Sequence, residues 1–245
     1  ETISKALKNG WVWHIPLTNR MGNGYVYSNE YCTKEEAEAE LRTLLGEHAD
    51  NQPALHLNWT PGRITHHWKQ NCLAIGLSQG FLEPLEAPML YLIQRSIEGF
   101  IENFTQNGFS DKNQAQYNAE INNIIDGTRD YLQAHYKINS RTDTQYWRDC
   151  RDNPKMSPIL NNMLDGWLHS DNFDAVINTH MPQLSYLKTS WYCLFAGKGY
   201  YAVELDNIDE QSLSKEHKLM HQQVNSKTAE FYDHKQYLDM LHHAT

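Results

Sequence analysis

The feature that most limits the fold is a change of period at Glu83. Before it, large apolar residues come in short alternating runs broken by turn residues; after it, they recur every three or four positions over long stretches. Side chains alternate across a strand but return to one helix face every 3.6 residues, so the two parts cannot share one secondary structure. The expected fold class is α+β, with a strand-rich part over residues 1–82 and a mainly helical part over residues 83–245. At 245 residues the chain can bury a real core, as one large domain or two modest ones.

In the first part, Gly10–Leu17 (GWVWHIPL) and Tyr25–Ser28 (YVYS) read as strands. Met21-Gly22-Asn23-Gly24 between them reads as the turn of a hairpin, because Gly and Asn tolerate positive φ. Thr33-Lys34-Glu35-Glu36 is a capping box and opens a helix that runs to about Gly46. Leu55–Trp59, Gly62–Trp68 and Cys72–Ile75 read as three more short strands.

In the second part, Leu85, Met89, Leu92, Ile93, Ile97, Phe100, Ile101 and Phe104 mark an amphipathic helix, and Asn113–Tyr136 a second, more polar one. Thr142–Arg148, Ser157–Leu168 and Tyr186–Ala196 follow as shorter helices, the last closing at Gly197. Ser212–His243 carries an apolar stripe from Leu213 to Leu241, interrupted by Lys227 and His234. That suits a helix packed on the body of the protein better than a coiled-coil seam.

Several function classes drop out early. Lys and Arg total 21 against 30 Asp and Glu, a net charge of -9, which argues against a nucleic-acid surface. Apolar runs such as Tyr91–Ile93 and Tyr192–Ala196 are too short to span a bilayer, and no signal peptide is recognisable. Cys32, Cys72, Cys150 and Cys193 are scattered without a CxxC pair, which fits free buried thiols in a reducing cytoplasm better than a disulfide framework. His217 and His221 lie four apart on a helix but have no third ligand, so the histidines read as surface residues and no metal is expected. There is no GxSxG, P-loop or GxGxxG. The chain starts abruptly at Glu1-Thr-Ile-Ser, without an initiator methionine.

The informative stretch is Asn71–Met89 (NCLAIGLSQGFLEPLEAPM), where a strand ends at Ile75-Gly76 and a helix opens near Pro84 or Pro88. Glu83 and Glu86 then sit beside a helix N-terminus, where backbone amides favour negative charge. They are ordinary helix-start carboxylates, or else an acid/base pair or the flank of an anion site.

Four ordered motifs extend this. Gly10-Trp11-Val12-Trp13-His14-Ile15-Pro16 matches a GWxWxIP signature, and Gly22-x-Gly24-Tyr25-Val26-Tyr27-Ser28 resembles the run that follows it. Asn71-Cys72, Ile75-Gly76 and Phe81-x-Glu83-Pro84-Leu85-Glu86 match an NCxxIG…FxEPLE segment. His135 with Arg141-Thr142-Asp143-Thr144-x-x-Trp147-Arg148 resembles an HF…RTDTxFWR stretch. The chain thus resembles the carboxy-terminal half of a flavin-dependent halogenase of the tryptophan-halogenase family, well over residues 1–150 and loosely beyond.

The resemblance implies a chemistry. Reduced FAD from a separate flavin reductase reacts with oxygen to a flavin hydroperoxide. A halide ion attacks it to give hypohalous acid, which passes along a tunnel to a lysine and halogenates an electron-rich aromatic ring. By the resemblance Glu86 is the catalytic glutamate, which orients the halogenating species or takes the ring proton. Ile75, Gly76, Leu77 and Phe81 border the flavin; Glu83, Trp11 and Trp13 belong to the substrate side, the tryptophans also reading as core aromatics. The strands would complete a halogenase/monooxygenase sheet. The dinucleotide turn and the lysine belong to a part of the family preceding GWxWxIP, so a missing N-terminal flavin-binding half is the expected partner, and this chain alone is expected to be inactive. A homodimer stays open.

Two departures from the family pattern shape the expectation. Ser-Thr usually follows the glutamate, and here it is Ala87-Pro88. Pro88 has no N–H to offer a halide, which leaves the amides of Met89 and Leu90 and favours a larger halide such as bromide. Asn172–Leu184 lacks the Tyr pair and the glutamate expected to hold an amino acid, so a simple indole is expected rather than free tryptophan, with Tyr186 as an aromatic wall. The rivals are a flavin monooxygenase or degenerate relative that hydroxylates instead, and a non-catalytic interaction domain. An uncovered apolar face along 10–17 would mark a surface built for a missing half.

Overall fold

A computed structural model describes residues 2–106, 108–201 and 210–243. The chain opens as a meander. Strands β1 (Ile3–Leu7), β2 (Gly10–Pro16) and β3 (Met21–Tyr27) form an antiparallel sheet with β2 in the middle. Ile3 pairs with His14 and Leu7 with Gly10 on one side of β2; Gly10 pairs with Tyr27 and Pro16 with Met21 on the other. Strand β1 escapes the sequence reading because it is a largely exposed edge strand with no inward face to impose alternation.

The hairpin turn lies at residues 17–20, where Leu17 N donates to Arg20 O (2.8 Å), and Met21–Gly24, expected as the turn, is strand. Trp13 is the reason. A Cβ on Gly24 would sit 2.2 Å from Trp13 Cζ2, and one on Gly22 would sit 3.3 Å from Cζ3. Neither glycine has a positive φ, so they serve to make room for an indole lying across β3.

Helix α1 (Lys34–Leu45) forms where its capping box predicts. Glu36 N donates to Thr33 Oγ1 (3.2 Å) and Thr33 N to Glu36 Oε2 (2.8 Å), and Gly46 closes it at φ 59°. It is tied to β3 by Tyr25 OH donating to Glu40 Oε2 (3.0 Å). Residues 51–61 form no regular element, which corrects the strand expected at Leu55–Trp59; Leu55 (83% exposed) and Leu57 (68%) find no strand to pair with. The strands expected at 62–75 shrink to the two-residue elements β4 (Gly62–Arg63), β5 (Trp68–Lys69), β6 (Cys72–Leu73) and β7 (Gly80–Phe81), pairing β4 with β7 and β5 with β6.

Six helices follow: α2 (Met89–Thr105), α3 (Gln114–Lys137), α4 (Gln145–Asp152), α5 (Pro158–His169), α6 (Phe173–His180) and α7 (Lys188–Gly197). Thr144, Ser157 and Asn172 cap α4, α5 and α6 with side-chain oxygens, and Pro158 sits at the first position of α5, where its missing N–H costs nothing. Helix α6 escapes the sequence reading although Asn172 is its cap, because eight residues are too few to show a helical period, and Tyr186 lies before α7 rather than inside it.

Helix α3, 24 residues and roughly 36 Å long, runs between two cores. Tyr117, Ile121, Ile125 and Leu132 pack with Trp68, Leu82 and Leu92; Tyr131, Ala134 and Ile138 pack with Leu160, Met163, Phe173, Trp191 and Phe195. The β1–β2 turn is fastened to α4 by Trp147 Nε1 donating to Leu7 O (2.7 Å) and Thr144 Oγ1 to Lys8 O (2.8 Å). Trp11 and Val12 are buried as a result, so the middle of strand 10–17 is closed; Ile15 and Leu17 at its end are exposed. Ile3 and Met21 beside them are exposed too, and on α2 Leu90, Ile97 and Ile101 share one exposed face opposite the buried Leu92, Ser96, Gly99 and Asn103.

All of this belongs to a compact unit over residues 1–202, and residues 203–245 form a second. There the single helix expected over Ser212–His243 is two, α8 (Glu210–Thr228) and α9 (His234–His243). Asp233 Oδ1 accepts from Lys235 N and Gln236 N at the start of α9. The Leu213 side chain lies outside the described residues.

Gly24→Ala should destabilise the protein by about 1–3 kcal/mol through overpacking, and by clearly less in a Trp13→Ala background, measured as a double-mutant cycle in urea. Equal losses in both backgrounds would separate the glycine from the indole.

Candidate active site

The two glutamates of Glu83-Pro-Leu-Glu86 lie between β7 and α2 on a short irregular segment. Ala87, at φ 48°, turns back with its N–H on Pro84 O (3.0 Å), and Pro88 caps α2, so the helix opens at the second of the two prolines. Three residues apart in the chain, the glutamates meet different faces of α3. Glu86 reaches the Tyr131/His135 face and Glu83 the Tyr136 face. The structure does not bring them together as an acid/base pair.

Glu86 Oε1 lies 3.0 Å from His135 Nε2, and the carboxylate is 37% exposed. His135 Nδ1 lies 2.9 Å from Tyr131 O. A carbonyl only accepts, so Nδ1 carries a hydrogen; the Nε2–Oε1 contact then needs a proton of its own, because two lone pairs would otherwise face each other. The Tyr131 ring stacks on Tyr186, with centroids 3.8 Å apart and planes at 17°, and Trp191 closes edge-on at 4.9 Å. Burial pushes the Tyr131 hydroxyl up to about 12, and Tyr186 higher still; the Glu86 carboxylate pushes both the same way. Both phenols are neutral near pH 7, and Glu86 sits at the edge of this aromatic stack.

Glu83 is different. Tyr136 OH donates to its Oε2 (2.7 Å), while Oε1 and Trp11 Nε1 are both buried without a hydrogen-bond partner. Burial raises its pKa above the usual carboxylate value; the Tyr136 hydroxyl and the nearby Trp11 N–H pull the other way and do not cancel it. Glu83 borders a cavity of about 630 Å³ with Leu82, Leu132, Tyr136, Tyr146 and Cys150. The Cys150 thiol is pushed up to about 11 by the same burial. Of the residues expected on the substrate side, then, Trp11 meets Glu83, Trp13 lies on β3, and Tyr186 alone joins Glu86.

The segment expected to border a flavin is a loop bolted to α2. Gly76 takes φ +66° and its N–H donates to Gln79 Oε1 (3.2 Å); buried Gln79 in turn donates to Ser96 Oγ (2.8 Å). Leu77 projects outward (76% exposed), and Phe81 packs edge-on against Trp59. Leu77 and Phe81 give this ledge an apolar edge of the kind a flat ring such as isoalloxazine packs against, while the amides of Ile75, Gly76 and Gln79 are already taken within the loop, and it holds nothing suited to a pyrophosphate. Met89 and Leu90 contribute first-turn amides that have no acceptor within the helix, and Pro88 contributes none. In the Asn172–Leu184 region, Asp174 is already taken by Lys188 Nζ (3.0 Å) and Tyr192 OH (2.7 Å).

Sequence reasoning missed Tyr131, and it used His135 only as part of a motif; their i, i+4 spacing on α3 was the available signal. It also misjudged His67, expected on the surface, which is 1% exposed with Nε2 on Asn122 Oδ1 (3.1 Å). Among the described residues no three His, Cys, Asp or Glu side chains cluster as metal ligands.

The tryptophan halogenase family model matches residues 1–212. The chain is 42% identical over 150 residues to the tryptophan 6-halogenase SttH of Streptomyces toxytricini, covering 61% of this chain and 29% of that protein. It is 32% identical over 213 residues to the tryptophan 7-halogenase KtzQ of Kutzneria sp. (strain 744), covering 81% and 39%. Among solved structures it superposes on BrvH, a flavin-dependent halogenase from Brevundimonas sp. BAL3, with a TM-score of 0.79 and 30% identity, over 98% of this chain and 48% of that one. The chain therefore spans well under half the length of the curated relatives it matches.

The Glu83 environment makes a pH prediction. Its folded pKa is raised, so its contribution to stability is fully present below the unfolded value and is lost as pH rises through the folded value. Glu83→Gln should therefore stabilise the protein relative to wild type increasingly from acidic to neutral pH in thermal or urea melts. A difference that does not vary with pH would show that folding leaves the Glu83 pKa where it is in the unfolded chain.

Proposed function

We propose, starting from the fact that the chain belongs to the tryptophan halogenase family, that it forms the substrate-facing part of a flavin-dependent enzyme that halogenates an electron-rich, indole-like ring. The observation that carries this reading is a carboxylate held on a half-buried histidine at the edge of a stacked aromatic pair: Glu86, His135, Tyr131 and Tyr186. An indole could lie against the tyrosine pair with its reacting carbon near Glu86. The free oxygen of Glu86 would orient the halogenating species by hydrogen bond, or receive the proton that leaves the ring carbon as the carbon–halogen bond forms.

Reduced FAD, with dioxygen and halide, supplies the hypohalous acid when bound. Ile75, Gly76, Leu77 and Phe81 would border its ring, and the Met89 and Leu90 amides would hold the halide. The rest of the flavin site, and the lysine that receives hypohalous acid, would come from a flavin-binding half of the polypeptide. The apolar face of Leu90, Ile97 and Ile101 on α2 supports that assignment, since so much exposed apolar surface on one helix suits a covered one. Residues 1–82 would then contribute strands beside that half and residues 83–245 a helical cap. A separate reductase would supply the reduced flavin. The four free cysteines suit the cytoplasm, although none is buried as expected and Cys72 and Cys193 are exposed, and no helix among the described residues is long and apolar enough to cross a membrane.

Substrate and halide follow from the two departures. With Asp174 engaged and no further carboxylate in 172–184, an ammonium group finds no partner, which favours indole over free tryptophan. With Pro88 unable to donate, a larger, weakly hydrated halide is favoured.

Full-length enzyme with reduced flavin should brominate indole faster than tryptophan and prefer bromide in mixed halide. Glu86→Gln should lower the rate by about 10²-fold or more. Preferential turnover of tryptophan would overturn the substrate, chloride preference the halide, and full activity in Glu86→Gln the assignment of the base.

A further inference from the structure

We propose that His135 is a positioning residue for Glu86: it holds Oε1 and leaves Oε2 as the one carboxylate oxygen that can meet substrate. The inference rests on the halogenase reading above and adds a residue to it. Glu86 sits on an irregular turn between β7 and α2 and is 37% exposed; nothing in its own segment fixes its rotamer. His135 comes from α3, the most enclosed helix of the unit. Its ring is oriented from two sides, by Nδ1 on Tyr131 O (2.9 Å) and by edge contact with the Tyr131 ring (centroids 5.1 Å, 78°). Nε2 is thereby aimed at Oε1 (3.0 Å).

With Nδ1–H committed to the carbonyl, the Nε2–Oε1 contact is attractive only while one proton lies between them. While that proton is in place Oε1 is occupied, and Oε2 is the oxygen left to meet substrate. The proton leaving the substrate ring goes to the other oxygen, Oε2, and departs from there to solvent. The same tyrosine presents its carbonyl to the histidine and its ring to the stack with Tyr186, so the carboxylate and the aromatic wall share one reference point. A base held this way gains from orientation rather than from altered strength, and misplacing a reacting group by about 1 Å costs on the order of 10²-fold in rate.

The test uses the full-length enzyme with supplied reduced flavin, bromide and indole, and compares His135→Phe with His135→Gln. Phe keeps the ring against Tyr131 but cannot donate; Gln keeps an N–H donor of similar reach. We expect Phe to lower kcat by about 10²-fold with KM unchanged, Gln to recover about tenfold of that, and hypohalous acid trapped by a reactive 1,3-diketone to be the same in all three. An unchanged kcat in His135→Phe, a Gln variant no better than Phe, or a parallel loss of trapped hypohalous acid would each overturn the role. A wild-type enzyme that halogenates nothing would instead fail the functional reading. In that case two-bond ¹H–¹⁵N spectra of the same protein decide the positioning: a protonated Nδ1 and imidazole signals that move in Glu86→Gln support it, and signals indifferent to Glu86→Gln overturn it.

Discussion

Helix α3 is the most enclosed helix of the unit, and its burial in two cores governs the rest. Its first half is built into one core through Tyr117, Ile121 and Ile125, its second into another through Tyr131, Ala134 and Ile138. Polar groups do the fastening between. Asn118 accepts from Trp68 N and donates to Trp68 O, both at 2.8 Å, standing in for a neighbouring strand. Arg63 grips Asp126, and Asp130 takes hydrogen bonds from Ser157 and Arg129. At Gly127 a Cβ would fall 2.3 Å from Gln183 O, so the helix is also pinned by close backbone approach. Groups hung on α3 are consequently the best-placed in the molecule, and both glutamates take their environments from it.

The helical part was legible because packing writes a 3.6-residue period into the sequence, and the caps at Thr33, Thr144 and Ser157 are chemical signals that need no partner. The strand part was legible only where burial imposes a pattern. Strand β2 carries Trp11 and Val12 inward and stands out; β1 lies at an edge and does not. Gly22 and Gly24 misled because a glycine that makes room for a side chain and one that makes a turn look alike in sequence; only the position of Trp13 distinguishes them. Leu55–Trp59 misled for the opposite reason, since its apolar residues are exposed rather than paired.

For the site, Glu86 and the loop at Ile75–Phe81 could be found from ordered motifs. What no motif conveys is which side of a distant helix each residue meets. Glu83 and Glu86 look like a pair in the sequence, yet one contacts Tyr136 and the other His135, adjacent residues pointing about 100° apart around α3. The association of Tyr131 with Tyr186 spans a loop and three helices, which is equally invisible to a local reading.

The separation of the two carboxylates has an evolutionary consequence. Glu83 looks into a chamber lined by Leu132, Tyr136 and Tyr146, while Glu86 lies at the edge of the Tyr131–Tyr186 stack, about 100° away around the same helix. Tyr131 belongs to the core but Tyr186 is only partly buried, so exchanging Tyr186 can admit a ring of another size while the chamber at Glu83 keeps its lining. Divergence in what such a chain accepts and conservation of how it folds can therefore proceed on separate schedules, even though the residues involved sit next to one another in the gene.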